Sequence, residues 1–279
     1  ESQNIPDLAY GTSGAKTLTF SFYFKTNKVG LYSVYFQHPA DGGTAKRKFL
    51  TFTPAASDTW ERIVLKVTGD TATAQTMDDN AAGLYIYFTL DNTPNYDIDA
   101  TEQDWTTSVL IGSENNVNFF DNTSNELYLT GCQLEVGDTA SDYEFLPQDI
   151  QLNRCMRYCY VHNNDADSHQ MLVFPGASRG STNKYFFIQH PVPMRDTPSV
   201  TLSGELRLIN SHADGYQESN DTLTIGGVDV SIQGQNANEK GVTLSYSGAI
   251  TGLTDTANMS YVMTFIKETN NKLTIDAEL

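Results

Sequence analysis

From Thr17 to Lys25, polar and apolar residues alternate without a break. Leu18, Phe20, Phe22 and Phe24 share one face, and Thr17, Thr19, Ser21, Tyr23 and Lys25 share the other. Period-two alternation predicts a half-buried strand. Asn27-Lys28-Val29-Gly30 turns the chain into a second strand, with Tyr32, Val34 and Phe36 on one side and Ser33, Tyr35 and Gln37 opposite. The same pattern predicts strands over Phe49–Thr53, Glu61–Val67, Leu84–Leu90 and Leu127–Val136. In the Leu84 strand, Leu84, Ile86, Phe88 and Leu90 form the inner set, and Tyr85 and Tyr87 point the other way. Loops rich in Gly, Asp, Asn, Thr and Pro separate these runs, among them Asp41-Gly42-Gly43 and Asp91-Asn92-Thr93-Pro94.

One stretch changes period. After Pro147, Leu152, Cys155, Met156 and Cys159 fall at helical spacing, which predicts a short helix over Asp149–Tyr158. Beyond it the alternation returns at Gln170–Phe174, Lys184–His190, Ser199–Leu202, Thr222–Ile232, Val242–Ser245, Met259–Lys267 and Lys272–Ala277. The last two runs, joined through Glu268-Thr269-Asn270-Asn271, read as a hairpin. The fold class is therefore all-β: a jelly-roll-type sandwich over residues 1–147, a short linking helix, and a smaller β-sandwich domain over 148–279.

Composition narrows the function classes. Lys and Arg total 17 against 34 Asp and Glu, a net charge of −17 that repels phosphate backbones, so no nucleic-acid partner is expected. No apolar run is long enough to span a membrane as a helix. Glu1-Ser2-Gln3-Asn4 is neither an initiator methionine nor a signal peptide, so the expectation is a fragment or processed product. Cys132, Cys155 and Cys159 fit no zinc spacing. Cys132 alternates with Leu134 and Val136 and reads as a small core residue, with Gly131 permitting a bulge.

Tyr23, Tyr35, Tyr85 and Tyr87 hold the non-core parity of their strands. A sugar lays its C–H face on an aromatic ring while nearby amides and carboxylates take its hydroxyls, so these four are glycan-binding candidates. Trp105, in the loop-rich Tyr96–Gly112 segment, is a fifth. The same side chains would serve equally as cross-strand pairs, a loop anchor or a subunit contact. The loop carboxylates Asp78, Asp79, Asp91, Asp97, Asp99 and Asp104 form no Asp-x-Asp-x-Asp-Gly loop. Asp97-x-Asp99 is the pair to examine for Ca²⁺, and no other cofactor is expected. His38, His162, His169, His190 and His212 accompany no nucleophile elbow or His-Glu-x-x-His helix, so a non-enzymatic protein is expected. Lys46-Arg47-Lys48 reads as an exposed basic loop before Phe49.

Several segments together resemble a known family. They are Gln3–Gly11, Leu18–Lys25, Asp58-Thr59-Trp60-Glu61, Gly69-Asp70-Thr71, Leu129–Gly137, and Tyr143-Glu144-Phe145-Leu146-Pro147 running into Arg154-Cys155-Met156-Arg157-Tyr158. Pro193-Met194-Arg195-Asp196-Thr197-Pro198-Ser199-Val200 and the terminal Asp276-Ala277-Glu278-Leu279 complete the set. These segments resemble bacteriophage tail-fibre and virion structural proteins that carry a carbohydrate-binding-module-like jelly roll followed by a C-terminal β tip domain. The resemblance implies further strands ahead of residue 1 and a native C-terminus at Leu279. It also implies a virion location, extracellular after host lysis, self-assembly as a homotrimer, contacts with other virion proteins, and host adhesion through a bacterial surface glycan. A virion scaffold or decoration protein without a receptor role, and a carbohydrate-binding module of a secreted enzyme, are the two rival readings.

Overall fold

In the computed structural model the chain divides into two compact units, Glu1–Phe145 and Leu146–Leu279. The structure describes residues 1–40, 43–75, 80–163, 173–179, 183–204, 206–212, 215–218, 223–225, 230–232, 235–247, 260–265 and 272–278. Strands dominate both units, and Gln148–Met156 (α1) is the one α-helix among the described residues.

The first unit holds β1 (Leu18–Thr26), β2 (Tyr32–His38), β3 (Lys46–Phe52), β4 (Glu61–Val67), β5 (Tyr85–Thr89), β6 (Asp97–Ile98), β7 (Glu102–Thr106), β8 (Gly112–Ser113) and β9 (Leu127–Val136). A three-stranded sheet, β4-β1-β9, faces a four-stranded sheet, β5-β2-β3-β7. The alternation in β1 dictates the packing: Phe20, Phe22 and Phe24 are buried against Phe36 and Phe52 of the facing sheet and against partly buried Phe88. Each such ring contributes about 2–3 kcal/mol by leaving water. Residues 2–10 close one end of this core with Leu8 and Tyr10.

The sheet β4-β1-β9 is covered over part of its outer side, while Tyr23, Val64 and Tyr128 stay exposed there. Thr19 and Ser21, on the polar parity of β1, are as buried as the phenylalanines. Residues 137–144 run back over them: Thr19 Oγ1 donates to Gly137 O (2.8 Å), and Arg62 Nη2 donates to Ser21 Oγ (3.1 Å) and to the Ser141 carbonyl. Gln133 and Glu135 anchor the same segment through Glu144 N and Ser141 N. The expectation that Cys132, Leu134 and Val136 fill a core is corrected. Leu134 and Val136 face inward opposite Phe20 and Leu18, yet both are exposed, because β9 extends past the edge of the facing sheet. Cys132 is exposed with them.

Lys46-Arg47-Lys48 is not an exposed loop; it opens β3. Lys48 sits opposite Phe36 on the core parity, 4% exposed, because its Nζ donates to Asp104 Oδ1 at 3.0 Å.

The second unit follows α1 with β10 (Cys159–Asn163), β11 (Val173–Arg179), β12 (Asn183–Gln189), β13 (Ser199–Ser203), β14 (Leu206–His212), β15 (Gly215–Glu218), β16 (Leu223–Ile225), β17 (Val230–Ile232), β18 (Gln235–Asn238), β19 (Gly241–Ser247), β20 (Ser260–Phe265) and β21 (Lys272–Asp276). A three-stranded sheet, β10-β21-β13, and a nine-stranded sheet share a core of Tyr160, Phe174, Phe186, Ile188, Leu208, Val242, Leu244, Leu273 and Ile275. The two last strands do not form the expected hairpin. β20 pairs with β11 and β14 in the large sheet, whereas β21 pairs with β10 and β13 in the small one. The intervening 268–271 turn falls outside the described residues.

Candidate functional site

β2 and β5 pair with Val34 opposite Phe88 and Phe36 opposite Ile86 on the core side, which forces Tyr35 opposite Tyr87, and Gln37 opposite Tyr85, onto the outer face. Tyr35 and Tyr87 stack with ring centroids 4.5 Å apart and planes 14° apart, and Tyr85 follows Tyr87 at 5.7 Å and 22°. Tyr85 and Tyr87 remain more than a third exposed. Tyr87 thus stands as the central ring, stacked against Tyr35 and against Tyr85. Burial raises the pKa of the Tyr35 hydroxyl, the Tyr87 phenol adds to the rise, and Arg47 opposes it. A hydroxyl held protonated both donates and accepts, as sugar hydroxyls require. Gln37 and Arg47 sit opposite each other on the same face and add an amide and a guanidinium. Sequence alternation put Gln37 on the face of Tyr35 but could not bring Arg47 there, which takes the pairing of β2 with β3.

The row ends at a groove of about 320 Å³ lined by Tyr35, Tyr87, Thr89, Asp91, Ile111 and Phe120. Phe120, 69% exposed, projects from a 3₁₀ turn (Phe119–Asp121) capped by Asn118 Oδ1 accepting from Phe120 N. Thr89 Oγ1 donates to Ile111 O at 2.7 Å, fixing the opposite wall. Phe120 and Ile111 lie in stretches without period, and no sequence signal singled them out.

The structure separates the remaining candidates from this row. Tyr23 lies in β1, on the outer face of the other sheet, beside Gly131 and Tyr143. It therefore cannot share a ligand with Tyr35, Tyr85 and Tyr87. Trp105 is not in a loop: it stands in β7, donates its indole N–H to Thr68 O (2.7 Å), and packs edge-on against Tyr10 and His38. His38 Nε2 meets Asp70 Oδ2 at 3.1 Å, both side chains almost fully buried, and its Nδ1 faces Pro39 O. Burial, reinforced by the Asp70 charge, pushes the pKa of the neighbouring Tyr10 hydroxyl well up. This cluster is an internal seal between the ends of β2, β4 and β7.

Asp97 Oδ2 accepts from Asn92 Nδ2 and Asp99 Oδ1 accepts from Asn115 Nδ2, so each carboxylate ties a different loop. Among the described residues no group of three His, Cys, Asp or Glu stands together as a metal site. Asp78 and Asp79 lie outside the described residues, as does His169.

In the second unit, three segments that carry the family resemblance meet. Arg195 N donates to Arg157 O, Ala277 N to Tyr158 O, and Arg195 Nη1 to Ala277 O, at 2.7–2.9 Å. A cavity of about 500 Å³ beside them is lined by Arg195, Asp196, Thr197, Ser199, Asp276 and Glu278, so three carboxylates stand with one guanidinium and no aromatic ring is among the described lining residues. The bonds through Arg195 give these segments a structural role.

No family model matches the chain, and no curated protein matches it.

Proposed function

We propose that this is a non-enzymatic phage virion protein, a tail-fibre or receptor-binding component, that contacts a bacterial surface glycan through Tyr35, Tyr85 and Tyr87. The phage assignment rests on the resemblance of the sequence segments. The glycan reading rests on one observation, the exposed stacked tyrosine row that runs along an open sheet face into a groove. Flat rings, phenol hydroxyls, one amide and one guanidinium form the mixed apolar and hydrogen-bonding surface that saccharides require. A shallow face of this kind binds one saccharide weakly, and repetition on a virion turns weak contacts into stable adhesion. A Ca²⁺ requirement forms no part of the reading.

The test is binding of the intact protein to cell-wall polysaccharide from candidate hosts. Tyr87→Ala removes the central ring of the row and is expected to weaken binding ~10-fold or more, about 1.4 kcal/mol. Tyr23→Ala, on the opposite sheet, is expected to leave it within twofold. Absence of binding to any host glycan, or equal losses from both substitutions, contradicts the proposal.

A further inference from the structure

The groove that ends the tyrosine row holds an apolar ring out in water at a fixed place. Phe120 is 69% exposed and adds little to the core, whereas its neighbour Phe119 packs inward. The turn that carries Phe120 is tied to its surroundings. Asn118 Oδ1 accepts from Phe120 N at 2.8 Å, and Asn125 Nδ2 donates to Phe119 O at 2.7 Å and to Asp121 Oδ1 at 2.9 Å. Lys28, from the connection between β1 and β2, pairs with the Asp121 carboxylate. Phe119 N donates to Leu90 O at 2.9 Å, which seats the turn beside Asp91. A ring already fixed in water does not have to be ordered by a ligand, so less affinity is lost on binding.

Across from Phe120 the groove presents one carboxylate and an apolar wall. Asp91 is exposed; its Oδ1 accepts from Asn92 N at 3.0 Å, and its Oδ2 has no partner among the described residues. Asn92 is itself anchored, donating through Nδ2 to Asp97 Oδ2 and to Ser113 O at 3.1 and 3.0 Å, so the carboxylate too has a fixed place. Ile111 lines the groove with Tyr35 and Tyr87. A carboxylate only accepts, so the group that fills this space must donate a hydrogen bond. Phe120 and Ile111 require that the same group also bring apolar carbon. An anion is repelled by Asp91. An ammonium satisfies Asp91 but loses its hydration against the apolar wall. A hydroxyl donates but leaves that wall wet. An acetamido group meets both demands, with an N–H beside a methyl.

We propose that the groove takes the acetamido group of an N-acetylated hexosamine whose sugar ring lies along the tyrosine row, its N–H on Asp91 and its methyl against Phe120 and Ile111. The proposal rests on the glycan reading of the row and narrows it to one class of saccharide. At about 320 Å³ the groove is at the small end of ligand sites, with room for one sugar residue.

Two neutral probes differ only at the group in question: the β-1,4-linked tetramers of N-acetylglucosamine and of glucose. In calorimetric titrations of the intact protein the acetylated tetramer is expected to bind ~10-fold more tightly, the scale set by a small apolar group in a fitted pocket. Phe120→Ala is expected to bring the two tetramers within about twofold without lowering the unfolding temperature, since the ring is exposed. Asp91→Ala is expected to narrow the same preference, whereas Tyr87→Ala is expected to weaken both tetramers alike. Cell-wall polysaccharide from candidate hosts is titrated in parallel. If the polysaccharide binds but the tetramers do not differ, or if their difference survives Phe120→Ala, the proposal is overturned and the glycan reading stands. If neither polysaccharide nor tetramer binds, the glycan reading falls and the proposal with it.

Discussion

The two outer faces of the first unit carry the same sequence signal and meet different fates. Each bears tyrosine at positions that alternate with a phenylalanine- or leucine-rich core face. On β4-β1-β9 residues 137–144, held by Arg62, Gln133 and Glu135, cover Thr19 and Ser21, while Tyr23, beside Gly131 and Tyr143, stays as exposed as Tyr85. On β5-β2-β3-β7 the stacked row of Tyr35, Tyr87 and Tyr85 stays in water. Polar groups on the covered face are consumed by internal hydrogen bonds. Those on the tyrosine face are left for something else. The difference teaches that exposure alone does not set the row apart: Tyr23 is as exposed as Tyr85, and what distinguishes Tyr35, Tyr87 and Tyr85 is that three rings stack into one surface.

That contrast predicts opposite responses to substitution. The largest effect on the fold is expected from Gly131→Val: a Cβ there meets Tyr23 Cδ2 at 2.9 Å, and φ of +60° strains any branched residue. A loss of about 2–3 kcal/mol in urea unfolding is expected. Arg62→Ala frees both Ser21 and the Ser141 carbonyl, one of them buried, and is expected to cost about 1–2 kcal/mol, with faster proteolysis within residues 137–145. Tyr85→Ala, by comparison, is expected to change stability by under ~0.5 kcal/mol while weakening glycan binding severalfold.

The smallest effect is a pH response. Hydrogen bonds from Gln133 and Ser141, helped by Arg62, hold the Glu135 carboxyl below the usual carboxylate range. A depressed folded value means the contribution is present above the unfolded value of about 4.3 and fades as pH falls through the folded one. Protection of the amides in residues 137–144, taken relative to the intrinsic exchange rate at each pH, is therefore expected to fall below about pH 4, and Glu135→Gln is expected to remove that dependence. Protection on the tyrosine face is expected to stay flat across the same window.

Much of this was legible in the sequence, and the failures have physical causes. Alternation located β1, β2, β4, β5 and β9 because each turns an apolar face inward, whether or not that face is then buried. It missed β7, whose Glu102-Gln103-Asp104-Trp105-Thr106 is mostly polar and becomes a strand by pairing with β3 while Trp105 seals the corner. Parity said that Tyr23, Tyr35, Tyr85 and Tyr87 point outward, which holds, but parity cannot say which sheet a strand joins. Only the pairing of β5 with β2, fifty residues away, collects three of the four. The exposure of Leu134 and Val136 was likewise hidden, since it depends on how far the facing sheet extends rather than on any local pattern.

The central claim is that the tyrosine row, and not the covered face, meets the glycan. The most direct measurement is an NMR titration of the tyrosine ring resonances of the intact protein with a host surface oligosaccharide. The account predicts that signals of Tyr35, Tyr85 and Tyr87 shift together and saturate at one concentration, while Tyr10, Tyr23 and Tyr32 stay fixed. Shifts at Tyr23 without the row, or no shift at Tyr35, Tyr85 and Tyr87 with an oligosaccharide that the protein binds, would contradict it.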